Sequence, residues 1–153
     1  MHWASPEDRR ALGHARRKQV GRHEHFAWQA KARPASALEL VARSMRGRVP
    51  ELIALKYQLM SESPFAYFRG AAPVMAADLA QLPSAGIGCQ LCGDAHVRNL
   101  GAYAAPDGRL VFDINDFDET IRGPFEWDLK RMAASLVLAG RAAGNKESSA
   151  RSA

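Results

Sequence analysis

Gly93-Asp94-Ala95-His96-Val97-Arg98-Asn99 carries a carboxylate and an amide with four residues between them, and Asp116-Phe117 follows after two apolar segments and a turn. Phosphoryl transfer of the kinase kind asks for those parts. A carboxylate accepts the hydroxyl proton, an Asn on the same loop holds a metal, and a later Asp holds metal on the phosphates. Asp94 is therefore the candidate catalytic base, and Asn99 and Asp116 are the candidate ligands of Mg²⁺ or Mn²⁺. Asp113, Asp118 and Glu119 crowd the same stretch, where they repel one another unless a cation or a basic side chain answers them. Asp113 and Asp118 are read as supporting residues.

A hairpin would bring these groups together. Ala105-Pro106-Asp107-Gly108 separates two apolar runs, 100–104 and 109–114, and Asp-Gly is a strong hairpin signal. With Asp107 and Gly108 as a two-residue turn, the position numbers of cross-strand partners sum to 215, which sets Asn99 opposite Asp116. Two oxygen ligands then meet at the open end, and a Mg²⁺ completed by water and phosphate asks for little more.

Other readings of the same residues are weaker. Asp116-Phe117-Asp118-Glu119-Thr120 fits Asp-x-Asp-x-Thr, where an Asp attacks phosphorus, but that motif ends a buried apolar run and Asp113-Ile114-Asn115 is half polar. An EF-hand fails because Asp118 stands where that loop needs Gly and Pro124 where it needs Glu. Cys89 and Cys92 have no second pair to make a zinc site and are read as buried structural thiols. His96 either contacts phosphate or packs within the loop. Arg69, Lys130 and Arg131 serve as phosphate clamps or as ordinary surface and ion-pairing cations. Asp128 either favours the start of a helix or braces the loop through backbone N–H groups.

The elements that must position these residues are helical first. Leu38, Val41, Ala42 and Met45 recur at helical spacing over 35–46. Pro50 suits the first turn of a second helix running through Leu59, and 65–82 reads as further helix interrupted near Gly70 and Pro73. Pro83-Ser84-Ala85-Gly86 then turns the chain into a short strand, 87–91. Gly123-Pro124 is expected to start a last helix that buries Leu129, Met132, Ala133 and Leu136.

Composition bounds the rest. With 153 residues, 47% hydrophobic and 24% charged, the chain is one globular domain or a piece of a larger one. Its 21 Lys and Arg against 16 Asp and Glu leave +5. Much of that excess lies in residues 1–33, read as a mobile basic arm. No stacking aromatics accompany a groove motif, which argues against nucleic acid as the partner. A secretory start is not seen, and no apolar run approaches the roughly 18–20 residues of a membrane span, so a cytoplasmic protein with no membrane partner is expected. The tail, 145–153, is polar and small and reads as disordered.

Four blocks together resemble a known family: Ser63 through Ala72, Gln90 through His96, Val111 through Thr120, and Gly123 through Arg131. They are similar to the bacterial domain of unknown function 2252 family, over roughly residues 16–141. The resemblance implies a protein-kinase-like fold, beside aminoglycoside and choline kinases and the HipA toxins, with a base role for Asp94 and metal roles for Asn99 and Asp116. Cys92 departs from the aminoglycoside-kinase relatives, whose loop commonly has His before Gly-Asp. In such proteins the Gly-rich loop and its phosphate-pairing Lys follow the catalytic segment, in sequence this chain does not contain.

The expectation is thus an α+β chain that forms a partial protein-kinase-like domain over 34–144. It has a mostly helical first half, a small β-hairpin carrying the acidic site and a C-terminal helix. It reads as an N-terminal fragment of an ATP- and Mg²⁺-dependent phosphotransferase, inactive alone, with ATP expected only for a longer form and the acceptor open. The alternative is a non-catalytic binding or scaffold module that retains the acidic metal-binding hairpin. Nucleotide-binding residues are not assigned.

Overall fold

The computed structural model describes residues 4–152. It is a mixed α+β fold with helices first, two small antiparallel sheets and a long helix near the end. Met1 to Trp3 of the basic arm and Ala153 of the tail lie outside the described residues.

The arm carries helix α1, Pro6–Gln19, which starts on a capping box between Ser5 and Asp8 and has no buried residue. At the end of the arm, Arg33 makes a two-pronged pair with Asp78, with Nε–Oδ1 at 2.6 Å and Nη2–Oδ2 at 2.8 Å. The expected helices follow. α2 (Ala37–Ser44) is capped by Ser36, and α3 (Pro50–Ser61) opens on Pro50, whose missing N–H costs nothing in a first turn. α4 (Pro64–Gly70) and α5 (Ala72–Leu79) are separated at Ala71, between the Gly70 and Pro73 that mark the interruption. Val41, Met45, Met60, Ala71 and Val74 form the core of this half, flanked by Leu40, Ile53 and Tyr57. Burying a side chain the size of Val41 or Met60 stabilises by about 1.5–3 kcal/mol. At Gly70 an added Cβ would sit 2.5 Å from Met60 Sδ, so α4 lies against α3 as closely as backbone allows.

The second half departs from expectation in five places. First, β1 (Gly88–Leu91) pairs with a strand the sequence did not announce, β4 (Ile121–Pro124), in the register Gly88↔Pro124 to Leu91↔Ile121. Gly123-Pro124 therefore closes a strand, at the edge position where Pro needs no ladder donor, and helix α6 runs Glu126–Ala142.

Second, the hairpin of β2 (Leu100–Ala104) and β3 (Leu110–Ile114) has partner sums of 214, not 215. The Ala105 N–H donates to Arg109 O and the Gly108 N–H to Ala105 O, both at 2.8 Å, so the loop is Pro106-Asp107-Gly108. A two-residue primed turn needs positive φ at Asp107. The chain instead places Pro106 in a type I turn and Gly108 at φ +82° as the bulge. Asn99 consequently faces Asn115, whose N–H donates to Asn99 O at 3.0 Å, and Asp116 lies one step further on.

Third, the buried stripe of α6 is polar. Arg131 and Ser135 are buried, while Leu129 is 60% exposed and Leu136 is also outside. Fourth, Cys92 is buried as expected but Cys89 is exposed. Fifth, the tail contains a short helix, α7 (Glu147–Ser152), tied back by a pair between Arg141 and Glu147 at 2.8 Å, where disorder was expected.

Candidate functional site

Asp94 sits on the loop between β1 and the 3-10 turn Val97–Asn99, and α6 holds that loop by its backbone. Asp128, in the first turn of α6, accepts from the Cys92 N–H at 2.7 Å and the Gly93 N–H at 3.1 Å. Ser135 accepts from the Val97 N–H at 3.1 Å. Buried N–H groups must find acceptors, so the polar face of α6 turns inward. On the other side, Thr120 Oγ1 donates to Leu91 O at 2.6 Å and Cys92 Sγ to Asp116 O at 3.2 Å, fastening the loop to the acidic segment. Gly93 has φ +85°, and a Cβ there would fall 1.8 Å from Glu119 O. No other residue fits that crossing.

The side chain of Asp94 is divided between two tasks. Oδ1 receives both Nε, at 2.5 Å, and Nη2 of buried Arg131. Arg131 Nη2 also donates to Phe68 O at 3.0 Å, and its guanidinium lies 4.3 Å from the centroid of the Phe68 ring, so it is fixed from three sides. Oδ2 accepts no hydrogen bond among the described residues; its neighbour is His96 Nε2 at 3.6 Å. His96 is buried, and burial pushes its pKa down, helped by Arg131 and Arg69 and opposed by Asp94. Its Nδ1 has no hydrogen-bond partner among the described residues. Asn99 is buried too, and its Nδ2 donates to Asp94 O at 3.0 Å, which leaves Oδ1 free of that bond. Burial also raises the Cys92 thiol pKa, so it stays protonated and can donate to Asp116 O.

Asp94, His96, Asn99, Asp116 and Arg69 line one cleft of about 470 Å³. A smaller cavity of about 190 Å³ is lined by Asp94, Asp116 and Asp118. Asp113 stands apart from both, paired with Gly101 in the hairpin, its carboxylate accepting from the Ile114 N–H at 2.7 Å. Asp128 and Arg131 hold the loop, and Lys130 turns to an apolar cavity beside Trp28 and Phe68. Sequence reasoning missed the anchoring role of Arg131 and the presence of Lys56. Signals existed for both. Asp128, Arg131 and Ser135 follow helical spacing on one face. Lys56 interrupts the leucine stripe Leu52, Leu55, Leu59 on α3, and with them it lines the cleft.

Residues 48–153 match a family described as "uncharacterized protein conserved in bacteria" (DUF2252). The chain belongs to this family. No curated protein and no solved structure matches it. The match takes in the whole candidate site, from Lys56 and Arg69 on the helices to Arg131 and Ser135 on α6. Among the described residues, none of the strands of the DUF2252 chain carries a lysine.

Mg²⁺ or Mn²⁺ suits the donor set. Asn99 Nδ2 is spent on Asp94 O and Asp116 Oδ1 accepts from the Asp118 N–H at 3.2 Å, which leaves one hard oxygen on each side chain in the same cleft. Among the described residues no three His, Cys, Asp or Glu side chains converge as a metal cage, so the assignment rests on an amide and a carboxylate.

Proposed function

We propose that this chain carries the proton-accepting and metal-binding part of an ATP- and Mg²⁺-dependent phosphotransferase of kinase-like kind. One observation supports it above the others: Asp94 has one oxygen saturated by Arg131 and the other without a hydrogen bond, in a cleft shared with Asn99 and Asp116. Arg131 keeps the carboxylate aimed, Oδ2 takes the proton of the acceptor hydroxyl, and the anchored loop prevents it from turning away. Asn99 and Asp116 are the residues that would hold Mg²⁺, and the ion supplies charge neutralisation on the transferring phosphate. ATP is the donor we assign to a longer form that adds a Gly-rich loop and its Lys.

The pairing of half-buried Asp94 with buried Arg131 also favours a second reading, in which Asp94 is an anchor and the chain a binding or scaffold module. Calorimetric titration with Mn²⁺ tests the site. We expect weak binding that falls at least about tenfold in Asn99→Ala or Asp116→Ala and is unchanged in Cys89→Ser. Unchanged affinity in the double variant removes the metal assignment. Phosphoryl transfer from ATP by a longer form, lost in a folded Asp94→Asn variant, separates the enzyme from the scaffold.

A further inference from the structure

The cleft has a basic wall as well as an acidic one. α3 presents Lys56, α4 presents Arg69, and Arg48 lies just before α3. All three line the smaller cavity together with Asp116, Asp118 and Glu119. Arg48 is partly answered, since its Nε donates to Ser44 O at 3.1 Å and its Nη2 lies 3.8 Å from Glu119. Asp94 is answered by Arg131. Lys56 and Arg69 have no hydrogen-bond or ion-pair partner among the described residues.

Their placement is built into the helices. Gly70 lets α4 approach Met60 of α3 at backbone distance, which sets Arg69 and Lys56 along the same cavity. Lys56 is half-buried beside Leu52 and Met60. Burial and the nearby Arg48 both lower its ammonium pKa, while Glu119 and Asp94 pull the other way. A half-buried cation with no partner is unfavourable alone, and exposed Arg69 lines the same two cavities as Lys56. Neither reaches across to the carboxylates within ion-pair distance. A dianion with oxygens on several sides is what such a gap accommodates, and the pair offers a forked guanidinium beside a point-charge ammonium.

We propose that Lys56 and Arg69 form a clamp for a phosphate group, on the wall of the cleft that faces Asp116. The clamp deepens the phosphotransferase reading and rests on it for the choice of phosphate among oxyanions. The phosphate is either that of the donor nucleotide or one already present on the acceptor, and one experiment covers both.

The 153-residue chain is titrated with inorganic phosphate, and the longer form with ATP, in chelator so that no metal takes part. Lys56→Gln and Arg69→Gln are each expected to weaken phosphate binding by about tenfold or more. Lys56→Arg retains most of it, and Arg109→Gln, on the exposed hairpin loop, leaves it unchanged. ATP losing affinity in step with phosphate assigns the clamp to the donor; ATP indifferent to Lys56→Gln assigns it to a phosphorylated acceptor. Phosphate that does not bind, or that binds the two Gln variants as tightly as the parent, overturns the clamp. Loss of Mn²⁺ binding in Asn99→Ala is read independently, so failure of the clamp and failure of the metal site are distinguishable.

Discussion

Asp94, His96 and Arg131 form a chain of charge in which each group limits the next. Arg131 takes one oxygen of Asp94, and His96 stands 3.6 Å from the other. A protonated His96 would be drawn to that oxygen, yet its burial opposes the charge and leaves the ring neutral near pH 7. The sign of the resulting pH dependence follows. Between its lowered folded pKa and the unfolded value of 6.5, the unfolded chain binds a proton that the folded chain does not. Stability is therefore present in full above pH 6.5, is lost as the pH falls below it, and levels off beneath the folded pKa. Urea midpoints at about pH 7.5 and about pH 5.5 should differ more for the parent than for His96→Gln. Equal differences in the two proteins would count against a buried neutral His96.

At the scale of elements, two glycines with the same backbone conformation carry unequal loads. Gly108 has φ +82° at the tip of the hairpin, and a Cβ there meets nothing within 4 Å. Gly93 has φ +85° and crosses the acidic segment with Glu119 O in the way. Gly108→Ala should cost only the left-handed backbone penalty, about 1–2 kcal/mol. Gly93→Ala adds a backbone clash and should cost at least about 3 kcal/mol, with loss of Mn²⁺ binding as the loop leaves Asp116. Denaturant unfolding of both variants checks the contrast, and equal costs would mean the loop has room that the geometry denies. The same logic explains the inward polar face of α6: the loop brings three N–H groups to it, and Asp128 and Ser135 accept them.

On the whole molecule, the apolar residues are distributed unevenly. Val41 and its neighbours form a compact cluster, whereas Leu52, Leu55 and Leu59 of α3 are each about half exposed along the cleft. A contiguous apolar wall of this kind marks a binding surface. An environment-sensitive naphthalene dye should bind the chain there, and Leu52→Lys with Leu59→Lys should reduce its fluorescence while stability changes by no more than about 0.5 kcal/mol per site. Undiminished fluorescence in the double variant would place the dye elsewhere. None of the described helices is long and apolar enough to cross a membrane.

Periodicity and local turn chemistry made the helices of the first half and the β2–β3 hairpin legible, because Pro50 and the Asp107-Gly108 pair act on their own neighbours. The residue types of the site were legible for the same reason: Asp94, Asn99 and Asp116 announce themselves by spacing. The register was not, since one residue in the turn, Pro106, shifts every cross-strand partner. β4 escaped notice because a four-residue strand ending in Gly-Pro has no periodicity of its own and exists only through β1. Arg131 read as a phosphate clamp or an ordinary surface or ion-pairing cation, and Leu129 as core, until the loop's N–H groups and the half-buried Asp94 turned the polar face of α6 inward. Lys56 joined the site only when α3 and α4 closed over Gly70. What acts between neighbours along the chain was determined by the sequence alone; what acts between separate elements was decided by the tertiary structure, because buried donors and charges must be answered by whatever packing brings within reach.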